Sequence, residues 1–100
     1  MRLPILILPQ AKADIGASAQ RFATARPELD REFIRQIDAT LCHLQAFPQS
    51  CQKFRGDCRR ALLHRFKHAL VYRYLPDRIE LVGVMDDRRD PENWQTRTGD

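Results

Sequence analysis

Leu29, Phe33, Ile37, Leu41 and Leu44 recur every three or four residues, the strongest periodic signal in the sequence. That spacing puts five apolar side chains on one stripe of a helix. A striped helix is stable only when another layer covers the stripe, so the rest of the chain has to supply that layer. Pro27 reads as belonging to the first turn, with Glu28, Asp30 and Glu32 near the positive end of the helix, and Phe47-Pro48 closes it. Ala11, Ile15, Ala19 and Phe22 form a second stripe between Gln10 and about Ala25, ended by Pro27. The spacing predicts two antiparallel helices joined by a very short turn.

The covering layer is read from stretches of strand character. Leu3–Leu8 is a short β-rich run stopped by Pro9, and Pro4 suits it to an edge or an end of a sheet. Residues 48–58 lack periodicity, contain Gly56 and read as a basic loop. Three strands are then expected at Arg59–Arg65, His68–Tyr74 and Arg78–Met85, with Pro76-Asp77 turning the chain between the last two. In the last strand Ile79, Leu81, Gly83 and Met85 alternate with Glu80, Val82 and Val84, so Glu80 is its only polar residue. Such a strand belongs in the centre of a sheet or is covered on both faces. The order β-α-α-β-β-β implies an α+β fold, a helical hairpin packed on a mostly antiparallel four-stranded sheet.

A chain of 100 residues is expected to form a single domain, residues 1–100, burying roughly two-thirds of its unfolded surface. The longest apolar run, Ile5–Leu8, is far short of the about 20 residues that span a membrane, and Met1-Arg2 leads straight into it. The expectation is a soluble, cytoplasmic protein without a membrane segment. Cys42, Cys51 and Cys58 are nine and seven residues apart and form no CxxC pair, which reads as reduced, mostly buried cysteines. His64 and His68 have the spacing of a metal pair only on a helix, and they fall on different strands here. No metal or cofactor is expected.

The charge is uneven. The net charge is +4, yet residues 53–73 alone hold Lys53, Arg55, Arg59, Arg60, Arg65, Lys67 and Arg73 against Asp57. A cluster of that kind attracts phosphate or an acidic protein segment, although a basic run in a small domain is commonly just a solvated face. Asp86 and Asp87 are followed by Arg88 and Arg89, which reads as a salt-bridged loop rather than a carboxylate pair for catalysis. Tyr72 and Tyr74 share a strand face and read as core, and Trp94 pins the polar tail or anchors a partner.

Several segments, in this order, resemble the RelE/ParE toxin superfamily of bacterial type II toxin–antitoxin systems, often described as plasmid stabilisation proteins. They are Leu8-Pro9-x-Ala11-x-x-Asp14-Ile15, the Phe47-Pro48 helix exit, Arg59-Arg60 opening a strand, Phe66 through Tyr72, and Arg88-Arg89-Asp90-Pro91-x-x-Trp94. The resemblance implies the β-α-α-β-β-β fold and a small cognate antitoxin encoded beside the toxin. It also implies one of two targets, messenger RNA on the ribosome for RelE-like members or DNA gyrase for ParE-like members. RelE-like nucleases place paired lysines on the second strand, an arginine before the strand ending in Val-Tyr, and in many relatives a histidine where the last strand meets the tail. The matching positions here are Arg60, Leu62, Ala69 and Asp86, an incomplete set. The resemblance therefore favours a ParE-like, non-enzymatic gyrase inhibitor that arrests growth. Its expected target-binding residues are Arg60, Arg65, Lys67, Arg73, Arg88, Arg89 and Trp94. The alternative is a metal-free endoribonuclease using Arg60, Lys67 and Arg73 around the phosphate, and a third reading is an inactive relative that binds only its antitoxin. Direct DNA binding by this chain alone is not expected, for want of a helix-turn-helix signal.

Overall fold

A computed structural model describes residues 2–86 as two helices packed on one mixed sheet. Strand β1 is Ile5–Ile7, helix α1 Pro9–Ala25, helix α2 Leu29–Ala46, and strands β2 to β5 are Lys53–Arg55, Cys58–Leu62, His68–Leu75 and Arg78–Asp86. The sheet order is β1-β5-β4-β3-β2, with β1 parallel to β5 and every other pair antiparallel. The α+β architecture and the helical hairpin agree with the sequence reading. The strand count does not. The described residues form five strands because Lys53–Arg55, read as basic loop, pairs with β3 through an irregular register. Three residues with a bulge leave no alternation to detect.

Other boundaries move for local reasons. The strand expected at Arg59–Arg65 ends at Leu62, so His64 and Arg65 lie in the loop before β4. Pro27 sits in the turn between the helices rather than in α2, because Glu28 caps α2 in the left-handed region at φ 70°. Of the cysteines only Cys58 is buried; Cys51 is half-buried and Cys42 exposed, and all three are free thiols.

The main core lies between the helices and the sheet. Phe33, Ile37, Leu41 and Leu44 from the α2 stripe meet Ala61, Leu70, Tyr72, Ile79, Leu81 and Val84. Burying a Phe or Leu side chain contributes about 1.5–3 kcal/mol, so this stripe supplies a large share of the favourable free energy. A smaller cluster on the other face of the sheet joins Cys58, Val71, Val82 and Met85, with Leu8 and Phe54 against it. Strand β5 sits between β1 and β4 and is buried through most of its length, as its near-lack of polar residues predicts.

The alternation along β5 breaks in the middle. Val71 pairs with Gly83 while Tyr72 pairs with Leu81, so Val82 is an extra residue and forms a bulge. Ile79 and Leu81 face the helices, but beyond the bulge that role passes to Val84, and Met85 turns to the far face. Strict alternation had put Met85 with Ile79 and Leu81, and the bulge corrects it.

The hydrogen bonds of β5 explain the Leu8-Pro9-x-Ala11-x-x-Asp14 segment. Strand β1 leaves the sheet at Leu8, whose N–H donates to the Leu81 carbonyl (3.1 Å), and Pro9 then starts α1. Proline is tolerated there because the first helical N–H has no intrahelical acceptor. Past this point β5 has lost its neighbour, and the Val84 N–H donates instead to Asp14 Oδ2 at 2.9 Å. Ala11 is fully buried, which lets α1 lie close enough for Asp14 to reach. Removing the acceptor strands a buried donor, a cost of about 1–3 kcal/mol. Asp14→Ala is expected to lower stability in urea by at least about 1 kcal/mol, and Asp14→Asn, which keeps a side-chain acceptor, by less. Equal losses in the two variants would show that the contact to Val84 is not what matters.

Candidate functional site

The basic cluster of the sequence is divided by the fold. Arg60 lies exposed on β3, on the sheet face turned away from the helices, with its guanidinium 5.9 Å from the centre of the Phe54 ring. Arg73 is on the same face of β4, because Cys58 pairs with Arg73 and Arg60 with Val71. Its charge is already engaged, 3.6 Å from Glu80. Arg78 reaches the same carboxylate at 3.1 Å, so a largely buried Glu80 holds two arginines. A carboxylate in that position is stable only when paired, which accounts for a lone acid in an otherwise apolar strand.

Arg65 and Lys67 are elsewhere. Both belong to the loop between β3 and β4, at the end of the sheet beside the turn of the helical hairpin. Lys67 and Arg73 are six residues apart along an extended segment, about 20 Å at the usual strand rise of about 3.3 Å per residue. Their backbone positions are thus far apart, Lys67 at the loop end of the sheet and Arg73 toward the β4–β5 turn, where it is already paired with Glu80. The described residues therefore bring Arg60 and Arg73 together, and Arg65 with Lys67, but not all four. Arg88, Arg89 and Trp94 lie outside the described residues.

The end of the sheet near Arg65 is built on an aromatic cluster. The rings of Phe22 on α1, Phe33 on α2 and Phe66 in the loop lie 4.9–5.4 Å apart in tilted or edge-to-face contacts. His68 joins them at 5.3 Å from Phe33 and 5.4 Å from Phe22. Its Nε2 faces Asp86 Oδ2 across the β4–β5 pair at 3.9 Å. Asp86 departs from the histidine common among the relatives that the sequence resembles, and here its carboxylate lies beside a histidine of the neighbouring strand. Above the rings is an open hollow of about 410 Å³ lined by Phe22, Arg26, Leu29, Glu32, Arg65 and Phe66, with Lys67 and His68. Glu32 Oε2 lies 3.8 Å from Arg26 and 3.6 Å from Arg65. The sequence singles out neither Arg26 nor Glu32 as a site residue: Glu32 reads only as an acid near the positive end of the second helix, and Arg26 carries no signal of its own.

A second hollow, about 630 Å³, opens at the exit of α2 between His43, Phe47, Pro48 and Tyr74. Tyr72 and Tyr74 share a face, as the sequence predicts, but only Tyr72 is core; Tyr74 is 36% exposed at this rim. The Tyr72 hydroxyl donates to the Pro48 carbonyl at 2.9 Å and so ties β4 to the helix exit. Burial pushes the Tyr72 phenol well above its ordinary value of about 10, with the nearby Cys51 adding in the same direction. The folded state thus holds the Tyr72 proton more tightly than the unfolded state does. Its contribution is complete below about pH 10 and is lost as the pH rises further. Wild-type protein is expected to lose stability steadily above about pH 10, and Tyr72→Phe to start less stable but to show a flatter alkaline slope in denaturant titrations. Identical slopes would remove Tyr72 as the origin.

No family model matches the sequence, and no curated protein matches it. Among solved structures, 85% of the chain superposes on 96% of a chain from the chromosomal ParDE TA system from P. aeruginosa, with a TM-score of 0.74 and 17% sequence identity. At that identity the likeness establishes a shared fold, the one implied by the RelE/ParE resemblance. Among the described residues no helix is long and apolar enough to cross a membrane.

Proposed function

We propose that residues 1–100 form the toxin of a bacterial type II toxin–antitoxin system, ParE-like, acting in the cytoplasm on DNA gyrase and held inactive by a co-encoded antitoxin. The observation that carries this reading is the fold shared, over 85% of the chain, with a chain of a ParDE system. The antitoxin is the cognate partner that such a system requires. The choice of gyrase over the ribosome is supported by the separation of the cations. Cleavage of RNA without a metal needs a base for the 2′-hydroxyl, an acid for the leaving oxygen and cations converging on one phosphate. Lys67 sits in the β3–β4 loop, about 20 Å of backbone from Arg73, and Arg73 is neutralised by Glu80. An inhibitor that binds a large protein–DNA surface has no need of convergence, since separate basic patches each contribute to docking.

Arg60 is the strongest contact candidate for the target. It is exposed and without a carboxylate partner among the described residues, and it lies beside Leu62, itself 62% exposed. Arg65, Lys67, Arg73, Arg88, Arg89 and Trp94 are the further proposed contacts.

Purified protein incubated with gyrase, ATP and supercoiled plasmid is expected to accumulate protein-linked linear DNA. Arg60→Glu should lower the yield at least about tenfold, the equivalent of about 1.4 kcal/mol of contact energy, with unchanged circular dichroism. Absence of linear DNA with folded protein, together with codon-positioned cuts in messenger RNA after induction, would replace gyrase by the ribosome. Absence of both, with harmless overexpression, would leave an inactive relative that binds only its antitoxin.

A further inference from the structure

The hollow above the Phe22–Phe33–Phe66 cluster combines three features: an excess of cations, an apolar floor left open, and a strained residue whose guanidinium the packing does not require. Its lining holds three cations, Arg26, Arg65 and Lys67, against the single carboxylate of Glu32. The two guanidinium contacts to Glu32, at 3.8 and 3.6 Å, are longer than a hydrogen bond, so both groups keep their donors unspent. Lys67 has no ion-pair partner among the described residues. Beneath this charge is an apolar floor of Phe22, Leu29 and Phe66, left half-buried instead of sealed.

The backbone supplies the third feature. Among the described residues only two besides glycine have positive φ, Glu28 at 70° and Arg65 at 74°. They sit in the hairpin turn and the β3–β4 loop, on the two sides of this hollow. A left-handed conformation costs an ordinary residue free energy that glycine avoids, and such strain concentrates at ligand clamps. Loop positions of this kind accept glycine readily, yet this one carries a guanidinium aimed at the hollow.

We infer that the hollow is a docking site for an acidic protein segment that inserts one apolar side chain onto the Phe22–Phe66 floor. Flanking carboxylates of the segment take the free donors of Arg26 and Arg65 and the ammonium of Lys67. Charge complementarity selects acid, and the floor selects a protein over a nucleic acid. The three rings are turned against one another at 53–67°, so they offer no pair of parallel faces to sandwich a base, whereas an aliphatic or phenyl side chain packs against ring edges and faces alike. A volume of about 410 Å³ accommodates one large side chain with its backbone. The surface is distinct from the Arg60 patch, although Arg65 and Lys67 of its rim are also among the contacts proposed for the target.

The test titrates the full-length ¹⁵N-labelled chain with the peptide acetyl-Glu-Asp-Leu-Phe-Glu-Asp-amide and follows backbone amide shifts. Saturable shifts are expected at Phe22, Arg26, Glu32, Phe66 and Lys67, and a control peptide with Gly in place of Leu and Phe should bind at least about fivefold more weakly. Lys67→Glu and Arg26→Glu, both at exposed positions, should each weaken binding about tenfold without altering the rest of the spectrum. Arg65→Gly relieves the backbone and removes the guanidinium, so it should melt no lower than wild type while binding more weakly. Absence of saturable shifts up to about 5 mM peptide, shifts confined to Phe54 and Arg60, or tighter binding of an oligothymidylate at the same residues would each overturn the inference. Gyrase assays on the wild-type preparation keep the two proposals apart: gyrase poisoning without peptide binding sinks only the docking site, and peptide binding without poisoning sinks only the gyrase reading. Arg26→Glu, at the one cation of the hollow outside the proposed gyrase contacts, should weaken peptide binding.

Discussion

Strand β5 lies between β1 and β4 with both faces covered, so its backbone groups have no access to water and each needs an internal partner. Antiparallel pairing with β4 satisfies one side along its whole length. On the other side β1 contributes only three residues before the chain must turn into α1. Asp14 fills the gap, and with it the entry angle of α1 is set. The angle of α1 in turn places Phe22 against Phe33, and α2 follows through the short turn. The sheet's need for one more hydrogen-bond acceptor thus governs how the helical layer sits, and a Pro9-x-Ala11-x-x-Asp14 spacing is the local solution.

The same geometry determines where charge can act. In the sequence the basic residues 53–73 form one block, but the β3–β4 hairpin folds that block so that Arg65 and Lys67 lie at its loop end and Arg73 at the other. Arg73 is drawn onto Glu80 at the turn end of β5, where a buried carboxylate costs several kcal/mol unless paired. Arg65 is held over the aromatic cluster, and Arg60 is left on the open face of the sheet. Each cation that stabilises the fold is one less that can attract a ligand, and a count of charges along the chain does not make that distinction. Arg60 and Lys67 are the two of the four placed by the sequence that carry no ion pair among the described residues.

Much of the fold was legible because it is periodic. The α2 stripe from Phe33 to Leu44 and the apolar run of β5 each repeat one rule over many residues, and both elements are where the pattern puts them. What could not be read is aperiodic. Strand β2 has three residues and a bulge; the extra Val82 in β5 flips Met85 to the far face without altering any residue type around it. The site was less legible than the fold. Arg26 and Glu32 are six residues apart across a turn, and only the hairpin brings them to Arg65, more than thirty positions later. Such proximity is a product of tertiary packing, and one sequence without its relatives contains no signal for it.

The strain at Arg65 follows from packing rather than from local preference. A left-handed residue costs roughly 1–2 kcal/mol, while each aromatic pair adds about 0.5–1.5 kcal/mol beyond its buried area. Phe66 makes two such contacts, to Phe22 and Phe33, at 5.1 and 5.4 Å. Docking the Phe66 ring therefore offsets the cost of twisting the residue before it. The twist is what points a guanidinium at Glu32 of the facing helix, and the charge above the aromatic floor is in this sense a consequence of the floor itself. With a Gly at position 65 the loop could close as well and the cation would be lost. The residue that bears both the strain and the charge is the one whose identity the fold leaves free, which is why its chemistry points outward, to a partner.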